Sequence, residues 1–386
     1  MKVRTSDIIG IGLLAFAVVC RFKRPVADFY VERCYPVISS ILSRIAALVP
    51  FSLEEIVVIW FILVFIIVLV SSIVRKEGFF RILAKTGRVV MWLVVWVDLG
   101  WGINYFRTPL YTRLEVEPIQ YDSGAFERFL SEYTMALNRD AGSPATWDKA
   151  SLEQEIKDYY ATEGAACGYT PVRSWQHVKD PLINPLFSAV TVLGWMGPFF
   201  CETQVNLDLP DLEYPSVLAH EMAHLAGVTG EGEANYWAYD FCRRSSDPSV
   251  RYSGSLELFP YVAVNAQALL SEEQYAAWVR SVPQRVKDDY ADIQAFWDGK
   301  RVGIIEKAQR ILQDMLLRSS GISEGTKDYQ GVIGIIMTMD ARRSQPRNTD
   351  STQHMTAWRT QNQLAGRVVL LDHEDGLHND CGTQER

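Results

Sequence analysis

The chain has 386 residues, with 38 Lys+Arg against 46 Asp+Glu and a formal net charge of −8. That length accommodates a membrane anchor plus one sizeable domain, and the mildly acidic balance leaves no electrostatic footprint for nucleic acid. None of the six cysteines (Cys20, Cys34, Cys167, Cys201, Cys242, Cys381) forms a CxxC pair, so the sequence gives no support for a cysteine-ligated zinc site.

The first element is apolar. Ile8 to Cys20 lies between Lys2 and Arg4 on one side and Arg21, Lys23 and Arg24 on the other. No small-x-small cleavage site follows, which predicts an uncleaved, short first span over residues 6–21. Tyr35 to Leu48 has helical apolar spacing (Val37, Ile38, Ile41, Leu42, Ile45, Leu48) and is predicted to lie along a membrane surface. Ile56 to Val74 is 19 residues without a charge, enough to span a bilayer. Val89 to Phe106 is read as a third span, interrupted only by Asp98 and Asn104. The loop between the last two holds Arg75, Lys76, Arg81, Lys85 and Arg88 against Glu77 alone, so the positive-inside rule puts it in the cytoplasm. The N-terminus is then cytoplasmic and everything after Phe106 extracytoplasmic, with Arg21, Lys23 and Arg24 as the one local conflict. Asp98, with no intramembrane partner visible in the sequence, is expected to face another helix or the outer interface.

Arg107-Thr108-Pro109 is a juxtamembrane linker. Ala125 to Asn138 and Trp147 to Tyr160 read as amphipathic helices, and Val190 to Leu193 and Phe199 to Leu207 as strands. A strand just before the next helix could hold an extended peptide by edge pairing, or be a plain sheet edge. Cys167 and Cys201 could pair, though spacing does not decide it.

Next comes His220-Glu221-Met222-Ala223-His224, an HExxH. Two histidines four residues apart share one helix face and can grip one metal, while the intervening glutamate faces the same site. The predicted helix runs from Ser216, a candidate cap after Pro215, to Ala226, with Gly227 placed for a left-handed C-terminal cap. Catalytic zinc sites take three protein ligands, and in the metzincin pattern HExxHxxGxxH the third histidine would fall on Gly230, which has no side chain. The gluzincin pattern instead takes a glutamate from a second helix. Glu231 with Asn235 four residues on fits it, Glu231 binding metal and Asn235 accepting an N–H from His220 or His224. Glu233 is the rival ligand; it shares a face with Trp237 and lies about 200° of helical rotation from Glu231. Cys242, on the same helix, reads as a packing residue.

Further helices are expected over Leu256 to Leu270, Glu272 to Val279, Val286 to Trp297, Ile304 to Leu317 and Lys327 to Met339. Residues 341–386 form a polar tail with His354, His373 and His378, read as solvated disorder.

Through AHEMAH (Ala219 to His224), EGEANYWAY (Glu231 to Tyr239), NLDLPDLEYP (Asn206 to Pro215) and RYSG (Arg251 to Gly254), the chain resembles an uncharacterised bacterial family of multi-pass membrane proteins classed as zinc peptidases. More widely it is similar to gluzincin metallopeptidases. The expected architecture is mainly α with a small β-sheet (α+β). Three transmembrane helices (residues 1–106) would precede a gluzincin-like zinc metallopeptidase domain (107–340). The expected function is hydrolysis of a peptide or protein at the membrane surface. One Zn2+ would be held by His220, His224 and Glu231, with Glu221 as general base. Tyr252 is the first candidate for oxyanion donor and Tyr236 the second, and either could be a packing tyrosine. The alternatives are a sensor or binding protein on the same fold, which has no need of Glu221, and a structural zinc, for which four ligands and cysteine are usual.

Overall fold

The computed structural model describes residues 4–120, 122–303 and 331–344. The chain divides into a compact unit, Met1–Thr338, and a second unit, Met339–Arg386, described only over residues 339–344. The helix expected over Ile304 to Leu317, the start of that expected over Lys327 to Met339, and the tail with His354, His373, His378 and Cys381 lie outside the described residues. The fold is mostly helical with one small sheet, consistent with the α+β class.

The chain opens with α1 (Thr5–Phe22) and α2 (Arg24–Phe29), which runs through a π turn at Tyr30–Cys34 into α3 (Tyr35–Ala46). α4 (Leu53–Val74) and α5 (Phe79–Gly100) follow as a hairpin. Among the described residues, α1 and α4 are the two helices long and apolar enough to cross a membrane. Only 6 % of the α4 window is buried, whereas the core helix of a soluble protein is mostly buried.

The third expected span is corrected. α5 begins ten residues before Val89 and carries Arg81, Lys85 and Arg88, so it does not qualify as an apolar span. It also stops at Gly100 rather than Phe106. Trp101 leaves helical geometry (φ −155°, ψ −44°), and Gly102–Phe106 forms a 3-10 turn in which the Asn104 side chain donates to Trp101 O at 2.9 Å. Nor is Asp98 without a partner: Arg21 of α1 approaches it to 3.6 Å. At the other end of α1, Arg88 grips Asp7 through two bonds of 2.5 and 2.7 Å. Two ion pairs thus hold α1 along α5, and the first absorbs one of the basic residues that conflicted with the orientation rule.

α3 has its expected helix, with apolar residues turned outward and serines inward. Ser39 and Ser43 are buried against the protein while Val37, Ile41, Ile45 and Leu48 are exposed. Arg173 donates to Pro36 O at 2.7 Å and Trp175 to Ser43 Oγ at 3.1 Å, so later chain holds the serine face.

The sheet has the order β1-β3-β2, with β1 (Val178–Lys179) parallel and β2 (Gly194–Gly197) antiparallel to β3 (Glu202–Val205). Neither expected strand boundary survives. Thr191 (φ 55°) and Cys201 (φ 50°) adopt left-handed backbone, which breaks extended pairing, so pairing falls between and after them. Cys201 is a thiol donating to Gly100 O at 3.4 Å, so the Cys167–Cys201 pairing is not made.

The sheet is plugged onto the start of α4. Glu202 accepts from the Glu54 backbone at 2.7 Å and Ser52 Oγ at 3.1 Å, while Lys179 pairs with Glu202 at 2.8 Å and donates to Ala46 O and Phe51 O. Every member of this buried ionic group has partners, the condition under which burial of charge is tolerated.

A short α6 (Leu110–Leu114) and then α7 (Ser123–Asp140), α8 (Lys149–Tyr159) and α9 (Asn184–Ala189) precede the central helices α10 (Tyr214–Leu225), α11 (Glu231–Arg244) and α12 (Pro248–Leu269). α13 (Glu272–Ser281), α14 (Gln284–Lys300) and α15 (Val332–Ser344) complete the described chain. α12 starts eight residues before the expected Leu256, because Asp247 caps it through Ser249 N at 2.8 Å and Pro248 fits its first turn.

Candidate metal centre

α10 carries the HExxH, and its ends decide the site. The helix begins at Tyr214, with Pro215 tolerated in the first turn. Ser216 is not the cap: it sits inside the helix, its hydroxyl donating to Glu213 O at 3.0 Å. At the other end Gly227 takes φ +101°. Its N–H reaches His224 O at 2.9 Å and Val228 N–H reaches Ala223 O at 3.1 Å, the two bonds of a Schellman cap. This cap turns the chain back so that α11 starts at Glu231, facing the histidines.

Three side chains converge there. His220 Nε2 lies 3.2 Å from both His224 Nε2 and Glu231 Oε2, and His224 Nε2 lies 3.6 Å from the same oxygen. Asn235, one turn after Glu231, accepts from His220 Nδ1 at 2.7 Å, and His224 Nδ1 donates to Val228 O at 2.8 Å. With both Nδ1 atoms donating, neutral imidazoles present their Nε2 lone pairs to one another and to a carboxylate oxygen. Three acceptors facing inward call for a cation at their centre. A tetrahedral zinc with ligand bonds of about 2.0–2.1 Å needs ligand edges of about 3.3–3.4 Å, which the three distances bracket. Trp101, where α5 ends, packs edge-on against His224 with centroids 6.4 Å apart.

The electrostatics show the same demand for positive charge, which a proton on His224 meets where no cation is bound. Burial disfavours charge on His224, but Glu231 outweighs it and raises the imidazole to about 9. Burial likewise works against ionised Glu231, yet the two histidines hold its carboxyl well below the usual range.

Glu221 is buried, and its Oε2 has no hydrogen-bond partner within the protein. Burial pushes its pKa up, His220 and His224 pull it down, and Glu231 adds to the rise. It lines the same cavity as the three converging side chains. An unpartnered carboxylate oxygen beside a cation site is what a base acting on water requires.

Glu233 is turned elsewhere. It accepts from the phenol of Tyr169 and from Trp237 Nε1 at 3.1 Å, while Arg113 also bonds that phenol. Tyr252 is not brought to the site: it is fully buried and donates to Asp289 of α14 at 2.7 Å. Tyr236 is fully buried beside Trp237 in the packing of α11. Cys242 packs as expected: a Cβ on Gly254 would lie 2.4 Å from its own.

Among the cavity residues that sequence reasoning missed are Gly194, Tyr105, Glu257 and Tyr261. Gly254, Glu257 and Tyr261 repeat at helical spacing along α12, a stripe with an acid amid apolar neighbours that periodicity could have flagged. The Tyr261 hydroxyl accepts from Asn235 Nδ2 at 3.3 Å. Gly194 carried no local signal.

Residues 30–337 match a protein family described as "Protein of unknown function (DUF3810)". No curated protein and no solved structure matches the chain.

Proposed function

The chain belongs to the DUF3810 family, and we propose that this member is a membrane-anchored zinc-dependent peptidase with its site outside the cytoplasm. The observation that carries the reading is the convergence of His220, His224 and Glu231 beside the unpartnered oxygen of Glu221. Zinc, when bound, supplies Lewis acidity, polarising the scissile carbonyl and acidifying water to a pKa of about 7. Glu221 takes the proton from the attacking water and passes it to the leaving amine. Asn235 and the Val228 carbonyl fix the tautomers of His220 and His224, which keeps both Nε2 atoms free to ligate. Tyr105 and Tyr261 line the cavity and replace Tyr252 as donors for the oxyanion; burial raises the Tyr261 pKa further, so its phenol stays protonated.

The topology reading has support in where the helix ends meet the later chain. Asp28, just after α1, accepts from Thr108 N and Oγ1 at 2.8 and 2.6 Å. The first turn of α4 accepts from Phe199 N at 2.9 Å through Glu54, and Trp96 near the end of α5 donates to Phe199 O at 2.9 Å. All three ends thus face the site-bearing chain, and the basic stretch Arg75 to Arg88, which is the connecting loop and the first turns of α5, lies at the far ends of α4 and α5. α5 runs back beside α4 as the second arm of their hairpin, its Arg88 met by Asp7 and its Asp98 by Arg21 of α1. Protease added to intact cells should cut residues after Phe106 and spare the stretch Arg75–Arg88; the reverse pattern inverts the orientation.

Purified full-length protein should hold about one zinc per chain. Glu221→Gln should keep that zinc while peptide hydrolysis falls at least about 100-fold. Glu231→Ala should lose the metal and Glu233→Ala should retain it. A protein that binds no zinc sinks the reading, and turnover surviving in Glu221→Gln removes that residue as base. Zinc-loaded wild type that hydrolyses no peptide favours the sensor alternative.

A further inference from the structure

A single cavity of about 1260 Å³ joins the metal centre to the groove between α4 and α5. At one end its wall includes His220, Glu221, His224 and Glu231. At the other, Val58, Ile62 and Phe65 of α4 face Val90, Leu93 and Val94 of α5. Ile62 is 54 % exposed and Val90 44 %, so the apolar end is open along the lipid-facing side of the hairpin as well as toward the site. Between the two ends, Arg21 and Asp98 line the wall as a pair and offset one another.

An enclosed polar site would suit a water-soluble peptide, and an apolar groove alone would suit a lipid. Their continuity selects one amphiphile, with a hydrolysable polar portion next to an apolar chain. The shape of the groove narrows the chain. α4 and α5 touch through Phe61 and Trp96, whose ring centroids are 6.3 Å apart, so the groove between them is only side-chain deep. A helix about 10–12 Å across would ride on top of it, whereas an aliphatic chain lies within it. Residues 58 to 65 extend the apolar wall about 10 Å along α4.

We propose that the substrate is an acylated peptide, its acyl chain seated between α4 and α5 and its peptide portion reaching the metal centre along β2. This rests on the peptidase reading above and adds the substrate class to it. The bilayer then delivers the substrate sideways, already oriented, and only peptides that carry an aliphatic anchor are held at the site.

The test is photolabelling of full-length protein in phosphatidylcholine nanodiscs, in the Glu221→Gln background so that the probe is not consumed. The probe is a short peptide N-acylated with a diazirine-bearing palmitoyl chain. Label should concentrate on residues 58–65 and 89–94 and fall at least tenfold with excess unlabelled acyl-peptide, but not with the same peptide lacking the acyl group. A diazirine phospholipid should not concentrate there. Ile62→Trp and Val94→Trp, which fill the groove far from the ligands, should reduce labelling at least tenfold with zinc content unchanged. Label spread over the outer faces of α1 and α4 overturns the proposal. So does equal groove labelling by the phospholipid, or better displacement by a transmembrane helical peptide. Because the readout is binding, the two readings fail separately. Zinc-free protein that still takes the acyl chain loses the peptidase reading alone, and zinc-loaded, active protein that ignores the chain loses only the groove.

Discussion

A methyl group at position 194 would sit 2.4 Å from Glu221 Cγ, closer than any real contact. Glu221, the base of the proposed peptidase, therefore rests directly on strand backbone, and Gly194→Ala must displace it. Since none of the three proposed ligands touches Gly194, on the peptidase reading the variant should keep zinc while hydrolysis falls about 10–100-fold, the scale expected for a misplacement near 1 Å. An unchanged rate would mean that the position of Glu221 is immaterial. The other residues of the centre fall into two groups. His220, Glu221, His224, Glu231 and Asn235 were legible in the sequence because they relate to one another by helical spacing and one glycine cap. Glu231 and Glu233 lie on different faces, but spacing alone leaves both open as ligands; the bonds of Glu233 to Tyr169 and Trp237 are what separate them. Gly194, Tyr105 and Tyr261 arrive from three other elements, and no pattern along the chain records a meeting made by tertiary packing.

Among the elements, α12 shows what the RYSG segment does. Each of its residues reaches a different neighbour: Arg251 to Asp140 of α7 at 2.7 Å, Tyr252 to Asp289 of α14, Ser253 to Ser216 of α10 at 3.2 Å, and Gly254 to Cys242 of α11. The motif is a packing node beneath the site, which is why Tyr252 could not also serve chemistry. The Arg251–Asp140 contact has a pH signature. Burial opposes ionisation of Asp140, but hydrogen bonds from Arg251 and Arg139 outweigh it and lower its pKa from 3.8 to about 2. A depressed folded pKa contributes stability that is present above 3.8 and lost as pH falls toward 2, here about 2 kcal/mol. Asp140→Asn should therefore lower the thermal midpoint at neutral pH, and its gap to wild type should close below pH 3.8; a gap independent of pH would show that the charge is not what stabilises. β3 falls within the expected Phe199 to Leu207, but the other strand is misplaced for an element-level reason. The strand pattern was sought in Val190 to Leu193, yet the paired residues are Gly194 to Gly197, where small residues let Glu54 and Glu221 approach.

At the scale of the molecule, the boundary expected at residue 107 does not separate two bodies, since the compact unit runs from Met1 to Thr338. Hydropathy marks where polar sequence begins; it says nothing of the carbonyls of Ala46 and Phe51, or of Ser52 and Glu54, on which Lys179 and Glu202 depend. A chain starting at residue 107 would lose those four bonds, each worth about 1.5–3 kcal/mol when one partner is charged, along with the packing of Trp101 against His224. It should show no cooperative melting and no stoichiometric zinc, measured against the full chain. Zinc uptake by the truncated chain would restore the boundary.

β2 meets Glu221 at Gly194 and Glu54 at Gly197, where an added Cβ would lie 2.7 Å from the Glu54 carboxyl carbon. A strut of four residues, about 10 Å long, thus separates α4, an apolar helix long enough to cross a membrane, from the proposed base. It contains no loop to absorb displacement. Tilting of α4 in a thicker or thinner bilayer would be carried to the carboxylate as a mechanical load, making membrane thickness a variable in the rate law of the enzyme proposed here.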